Sequence, residues 1–593
     1  MNIKSNKEIG WKKHPRPQLR RELFHVIEKE WRLNGRDIRV PFPPQAPLSG
    51  YEGDMGTMLC YEVSFVLPEN FTKERILLHF GAVDQVAEVW VNGTCVGTHE
   101  GGYLPFSFDI SEVVLRAGKN HLEVKVTDEL SKVYPYGKQS MAPGGMWYTQ
   151  VSGIWQVVWL ENVPQRYIRE VRWKPDLEGV WLQVSYSDGT GCGKAGSEEK
   201  AGTVPENRKY RAADEPGATV VIDLGNGETL TETVSGTEGY VRLAGRNSDK
   251  GVLVTPKFWT TDAPYLYSAK IRLEEDEVET YFALRTLGQE HICGKQRLTL
   301  NGEPVFLHGL LDQGYFPEGI YLPCCEEEYE KEILRMKELG FNLLRKHCKA
   351  EPEWFYYYCD LHGMLVLQDM VNSGGYSFLR DTALPTAGFQ KRRDNRRAKT
   401  GEEKRRRAFF EQHMKDTIGQ LYNHPCVVGY TIFNEGWGQF EADRMYEVAK
   451  AADPDRWYDT TSGWFSGRKS DFDSRHVYFR TKKLKGKEKP LFLSECGGFS
   501  FRIKEHCYSP EKSYGYGTCR SEKELTERIV GMYRKMVLPA IEAGLCGCVY
   551  TQVSDVEEEI NGLYTYDREV CKVDKEAMRR LAEELCSANK FNP

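Results

Sequence analysis

Along the first 164 residues apolar and polar positions alternate with a period of two. Tyr61–Leu67, Arg75–Phe80, Ala87–Val91 and His121–Thr127 each put every second side chain on an apolar face, with Asn92-Gly93, Gly101-Gly102 and Gly118 between them. Alternation of this kind predicts half-buried antiparallel strands, so residues 1–164 are expected to form a β-sandwich that ends in the strand Gln156–Leu160. Residues 165–288 continue as strands, among them Val180–Tyr186, Thr219–Asp223 and Tyr267–Leu273. About seven strands in roughly a hundred residues predict an immunoglobulin-like sandwich. The Gly/Lys/Glu-rich stretch 188–216 has little to bury and is expected to be a long surface loop.

After residue 289 the pattern changes to short apolar runs separated by helical stretches. The runs are Val305–Gly309, Leu343–His347, Met364–Asp369, Val427–Glu435, Trp457–Gly463, Arg475–Phe479, Pro490–Gly497 and Cys546–Gln552. Helices are predicted over Glu326–Leu339, with Ile333, Met336 and Leu339 as its stripe and Gly340 as its stop, and over Glu351–Leu361 and Glu403–Tyr422. Eight βα units in roughly 300 residues predict a (β/α)8 TIM barrel over 289–593. Residues 372–402 are expected to loop over its mouth.

Bulk composition narrows the partners. The 593 residues exceed what one core of about 250–300 residues sustains, which agrees with three domains. Hydrophobic residues at 40% and charged residues at 28% are ordinary for a globular chain, and a net charge of −6 gives no reason to expect nucleic acid or an anionic membrane. No run of about 18 apolar residues exists, so no membrane span is expected. The first residues lack the apolar stretch of a signal peptide, and the expected location is the cytoplasm. The 16 cysteines show no zinc-ligand spacing; Cys324-Cys325 and Cys546-Gly547-Cys548 read as reduced thiols. The basic run 391–407 is interrupted by Asp394, Glu402 and Glu403, and reads as a solvated loop leading into a helix.

In a TIM barrel the chemistry lies at the C-terminal ends of the strands. Those ends carry His308 on strand one, Arg345 and His347 on strand two, Asp369 on strand three, Asn434-Glu435 on strand four, His476 and Tyr478 on strand six, Glu495 on strand seven and Tyr550 on strand eight. Either glutamate alone reads as a rim salt bridge. Together, Glu435 and Glu495 at one mouth match what hydrolysis of a glycosidic bond requires. One carboxyl group must be protonated to serve the leaving oxygen, and the other ionised to attack the anomeric carbon, at about 5–5.5 Å in a retaining enzyme. The ionised nucleophile raises the acid's pKa; when the covalent intermediate removes that charge, the acid becomes a base toward water.

Five segments in order resemble glycoside hydrolase family two, the family of β-galactosidases, β-glucuronidases and β-mannosidases. They are Trp147 with Ser152-Gly153-Ile154-Trp155, Phe258 to Tyr267 (FWTTDAPYLY), Gly340-Phe341-Asn342 with Arg345 and His347, His424 to Gly438 (HPCVVGYTIFNEGWG), and Leu493 to Gly498 (LSECGG). The resemblance implies an N-terminal jelly-roll domain ahead of the immunoglobulin-like and barrel domains. It implies Glu435 as acid/base, Glu495 as nucleophile, Asn434 on the sugar's 2-hydroxyl and Tyr478 beside the nucleophile. It also implies Arg345 and His347 lining the −1 subsite, with His476 and Asp369 as further sugar ligands; His308 is a further candidate ligand from its place on strand one. Tyr430 and Tyr550 stand where the family usually has Trp, so Tyr550 is expected to offer the sugar an aromatic face.

Two departures bear on substrate and metal. The stretch after strand three, Met370 to Gly375 (MVNSGG), lacks the Glu and His of the magnesium-using β-galactosidases, so no catalytic metal and no other cofactor is expected. Where the β-glucuronidases carry Asn-x-Lys for the sugar carboxylate, this chain reads Glu559-Ile560-Asn561. An anionic Glu559 repels a uronic acid and favours a neutral sugar, most simply β-galactose. The alternatives are a uronidase that draws its cation from 391–407, Arg502 or Lys504, and a non-catalytic carbohydrate-binding protein. A carbohydrate is the expected partner, and homo-oligomers are common in the family.

Overall fold

The computed structural model describes residues 9–187, 217–386, 388–389, 394, 397–465, 468–478, 481–486 and 488–590. The loop expected at 188–216 and part of the basic run lie outside the described residues.

The first sandwich packs a four-stranded sheet (Phe24–Val26, Val158–Val163, Arg75–Phe80, Phe106–Asp109) on a six-stranded one, whose centre is Asn120–Thr127 between Met58–Phe65 and Val86–Val91. Met58–Phe65 buries every second residue, as the sequence period requires, and the buried set fills the space between the sheets. The second sandwich pairs a three-stranded sheet (Ile168–Pro175, Gly179–Tyr186, Glu238–Arg242) with a four-stranded one (Glu228–Val234, Ala218–Gly225, Tyr267–Leu273, Asp276–Phe282) around its own core.

Eight parallel strands then form the barrel: Leu307–Asp312, Leu343–Lys346, Leu365–Asp369, Val427–Asn434, Trp457–Ser462, Asp473–Val477, Leu491–Gly497 and Leu545–Thr551. Their neighbour order is five-four-three-two-one-eight-seven-six. Strands five and six close the ring through side chains, with Ser474 Oγ donating to Asp459 Oδ2 at 2.5 Å. Strands four, seven and eight are buried at every position, which is why they read as unbroken apolar runs rather than alternating ones. The helix Glu327–Glu338 stops where expected: Gly340 takes φ +87°, a left-handed conformation that suits glycine. Among the described residues no helix is long and apolar enough to cross a membrane.

Two connections were not visible in the strand pattern. Residues 9–21 lie outside the first sandwich and strap the domains together. Trp11 Nε1 donates to Pro323 O of the barrel at 3.2 Å, Arg20 pairs its backbone with Glu279 of the second sandwich, and Arg21 bonds Glu161 and Asp276. The stretch 136–149 of the first sandwich forms one wall of the barrel mouth. Gly145 N–H and Thr149 N–H donate to Glu558 Oε2 (3.2 Å) and Glu557 Oε1 (2.9 Å), and Tyr148 OH donates to Glu559.

Candidate active site

Strand four presents Asn434 and Glu435, and it is anchored at its far end by His424. That imidazole meets Asp360 Oδ2 on the neighbouring helix at 2.6 Å. After Asn434 the backbone turns sharply: Glu435 has φ +51° and Gly436 +66°. A glutamate with positive φ is strained, and such strain persists where the surroundings hold it. Here Glu435 N–H donates to Ser462 O at 2.9 Å, and the packed strand ends aim the carboxylate across the mouth.

His476 stands between the two glutamates. Its Nδ1 lies 3.0 Å from Glu435 Oε1, its Nε2 3.7 Å from Glu495 Oε1, and Ser462 Oγ fixes the ring at 3.0 Å from Nε2. Glu495 is further gripped by Tyr478 OH at 2.6 Å and Arg345 Nη1 at 3.0 Å. Burial by itself would raise the Glu495 pKa; His476, Arg345, His347 and the Tyr478 hydrogen bond together outweigh it and bring it to about 2. Among the described residues the Glu435 carboxylate bonds only His476.

Arg345 is fully buried and organises the floor. It donates to both oxygens of Asp369 (2.9 and 3.0 Å), to Asn434 Oδ1 (2.8 Å), to Ser494 O (3.0 Å) and to Glu495. Because a guanidinium only donates, the oxygen of Asn434 is taken and its amide N–H group is left to donate into the mouth. His347 Nδ1 meets Asp369 Oδ2 at 2.7 Å, and burial lowers its pKa despite that carboxylate. Tyr478, Tyr516 and Tyr514 line one side, with 4.7 Å between the first two ring centroids. Tyr136, Trp147, Tyr376 and Trp437 line another, Trp147 lying 5.0 Å from Tyr376 and 5.2 Å from Trp437.

Three family models match the chain in sequence order. The sugar binding domain of glycosyl hydrolases family 2 covers residues 40–164, a second family 2 domain covers 201–285, and the family 2 TIM barrel domain covers 293–484. The chain belongs to glycosyl hydrolase family 2. Curated relatives in the family include a β-galactosidase of Thermoanaerobacter pseudethanolicus, 26% identical over 423 residues, which are 68% of this chain and 48% of that protein. Another, from Pseudoalteromonas haloplanktis, is 24% identical over 447 residues, 73% of this chain and 38% of the relative. The matched region thus spans about half or less of the length of these relatives. Among solved structures, a β-glucuronidase of Ruminococcus gnavus superposes with TM-score 0.70 over 97% of this chain and 99% of that one, at 17% identity. A β-D-glucuronidase of Dictyoglomus thermophilum does so with the same score and coverage at 18%. At these identities the likeness is one of fold.

The family 2 barrel brings Glu435, Glu495, Asn434, Tyr478, Arg345, His347, His476 and Asp369 to one mouth. It does not bring His308 or Tyr550 there. His308 packs outward against Phe341 (4.2 Å) and Tyr533 (5.5 Å), its Nδ1 lies 3.0 Å from Gly340 O, and burial lowers its pKa to about 4. Tyr550 lies over Gly497 on the outer face of strands seven and eight, near Phe499 and Arg528, and offers the sugar no surface. The reason is strand parity. Gly309 and Val549 face each other inside the ring, so their neighbours His308 and Tyr550 point out, and His308 also lies near the N-terminal end of strand one, which runs Leu307–Asp312 and not over the expected Val305–Gly309.

His347, Cys348 and Asp369 gather three potential ligand atoms within 4.8 Å. Asp369 already accepts two bonds from Arg345, whose positive charge beside it opposes a cation, so this cluster does not fit a metal. Of the cations expected for an alternative carboxylate grip, three described ones are already engaged. Arg502 donates to Pro510 O and Lys512 O, Arg405 pairs with Glu100, and Arg407 pairs with Glu403. Besides the lining aromatics Tyr136, Tyr376, Trp437, Tyr514 and Tyr516, the mouth gains Lys138 and Tyr148, none of them anticipated there. Lys138 and Tyr148 sit in an irregular Gly-rich stretch of the first sandwich, where the signal in the sequence was Trp147 with Ser152 to Trp155.

Proposed function

We propose that this chain is a retaining exo-β-glycosidase that removes terminal neutral sugars, with β-galactosides as its substrates. The observation that carries the reading is the contrast between two glutamates sharing one imidazole: Glu495 accepts from a guanidinium and a phenol, and Glu435, among the described residues, accepts from neither. Glu495 attacks the anomeric carbon while Glu435 passes its proton to the departing oxygen, and that carbon–oxygen bond breaks. In the covalent intermediate Glu495 carries no charge, and Glu435 takes a proton from the water whose oxygen displaces Glu495. Two inversions give retention. Asn434 donates to the 2-hydroxyl, and Tyr478 stays beside the nucleophile through both steps.

The neutral-sugar assignment is supported by buried Glu559 in the mouth and by the names of the curated relatives. A uronide-cleaving enzyme is the second reading, favoured by one observation, the ammonium of Lys138 within charge reach of the glutamates. A panel of nitrophenyl β-glycosides decides between them: turnover of the galactoside is expected, and turnover of only the glucuronide or galacturonide overturns the choice. Glu495→Gln should lower kcat on the order of 1,000-fold or more. Azide should restore turnover of an activated substrate by Glu435→Ala, with a β-glycosyl azide as product; a Glu495→Gln enzyme at the wild-type rate would sink the mechanism.

A further inference from the structure

The backbone around Lys138 is pressed onto the barrel. Tyr136 N–H and Gly137 N–H donate to Asn372 O at 2.9 and 3.3 Å, and Tyr148 N–H donates to Lys138 O at 3.0 Å. Gly137 has φ +64°, and a Cβ there would lie 2.5 Å from the carbonyl oxygen of Cys348, so only glycine permits the approach. Cys348 directly follows His347. The next side chain in the sandwich segment, Lys138, is thereby delivered over the ends of strands two and three.

Lys138 is half-buried, and its Nζ stands 5.8 Å from the centre of the Trp147 ring. Among the described residues nothing accepts a hydrogen bond from it and no carboxylate pairs with it directly. Glu559, Glu435 and Glu495 nevertheless act on its charge: burial would lower the Lys138 pKa, and Cys348 with these three carboxylates more than offsets that. An ammonium carries three donors, and a partly desolvated one needs acceptors. At the same mouth, Glu559 accepts from Tyr148 OH and from Asn561 Nδ2 at 2.9 Å. A carboxylate has about four acceptor sites, so Glu559 keeps capacity for a further donor.

We propose that Lys138 and Glu559 together bind one glycone hydroxyl, the ammonium donating to its oxygen and the carboxylate accepting its hydrogen, so that the N-terminal sandwich supplies a specificity-determining residue to the barrel's site. This rests on the glycosidase reading above. A hydroxyl both donates and accepts and satisfies the pair, whereas a sugar carboxylate gains Lys138 and meets repulsion from Glu559. Sequence order hides the pair, since more than half the chain separates its members.

The test is a comparison between the enzyme and its substrate, group by group. Wild type, Lys138→Met, Lys138→Gln and Glu559→Gln are assayed on nitrophenyl β-galactoside and its monodeoxy analogues, with folding checked by thermal melting. Wild type should lose roughly 10- to 100-fold in kcat/KM when one particular hydroxyl is removed. All three variants should lose about as much on the parent galactoside, and should no longer distinguish it from that one deoxy analogue. A folded Lys138→Gln enzyme that still discriminates against every deoxy analogue as wild type does overturns the inference. If wild type turns over only a uronide, the galactoside reading falls; the same variants on monodeoxy uronides then test the inference separately, and it falls if Lys138→Gln abolishes the preference for uronide over neutral glycoside, because Lys138 then holds the sugar carboxylate.

Discussion

Arg345 donates to acceptors on three strands, Asp369, Asn434 and Glu495 with the carbonyl of Ser494, and this one guanidinium ties the nucleophile's charge to the site's geometry. Lysine cannot reproduce the fork. Arg345→Lys should lower kcat/KM by roughly 100-fold or more. It should also raise the Glu495 pKa from about 2, so any acidic limb of kcat/KM set by this group moves to higher pH. An acidic limb identical to wild type would contradict the assignment. Asp459 is the opposite case. It is buried behind the site and receives Ser474 Oγ; burial raises its pKa to about 6, against that hydrogen bond, Arg345 and His476. Its folded pKa lies above an unfolded value of about 3.9, so its favourable contribution is complete below that value and is lost as pH rises through about 6. Asp459→Asn does not titrate. It should gain stability relative to wild type between about pH 4 and 6, by up to ~3 kcal/mol, and hold the gain above. Parallel curves of Tm against pH for the two proteins would refute this.

At the scale of elements, the barrel strands were legible because both faces are buried, which leaves continuous apolar runs. That same continuity conceals which side chains point inward. Tyr550 ends its strand in the right place and on the wrong face, because parity is set by register with the neighbouring strands; His308 shares that parity, with Gly309 opposite Val549 and Leu343, and also sits at the wrong end, since strand one runs Leu307–Asp312. Tyr550→Phe should therefore leave kcat/KM within about 2-fold, while Tyr478→Phe, which removes the hydroxyl on Glu495, should reduce kcat by roughly 10-fold or more. Steady-state kinetics on one activated galactoside separates the two, and equal losses would mean that Tyr550 reaches the sugar after all. Strand four carries a local signal that sequence did convey, since Asn434-Glu435-Gly436 places a glycine just after the residue whose backbone turns left-handed.

The whole molecule is held by contacts that cross its domains, and the active site is one of them. Arg21 sits between both sandwiches, with Nη1 2.6 Å from Glu161 and Nη2 2.9 Å from Asp276, all three side chains buried. Removing it leaves two carboxylates without their cation. Arg21→Met should cost about 3–5 kcal/mol, read as an earlier first transition in urea, with kcat at low denaturant little changed because no atom of Arg21 lies near the mouth. The acidic run Glu557-Glu558-Glu559 does the same work at the other end, receiving Thr149, Gly145 and Tyr148 of the first sandwich. What looked from sequence like a barrel with an appended sugar-binding domain is a barrel whose mouth is walled by that domain.

Sequence alone determined the three domains, the order of the eight strands and the two glutamates at their ends, because periodic burial and local motifs are written in neighbouring residues. The tertiary structure decided the orientation of His308 and Tyr550, the bonding of Arg345 and the meeting of Lys138 and Glu559 around Tyr148. These depend on register between strands and on the summed field of charges that meet in space from distant parts of the chain, and no local pattern encodes either.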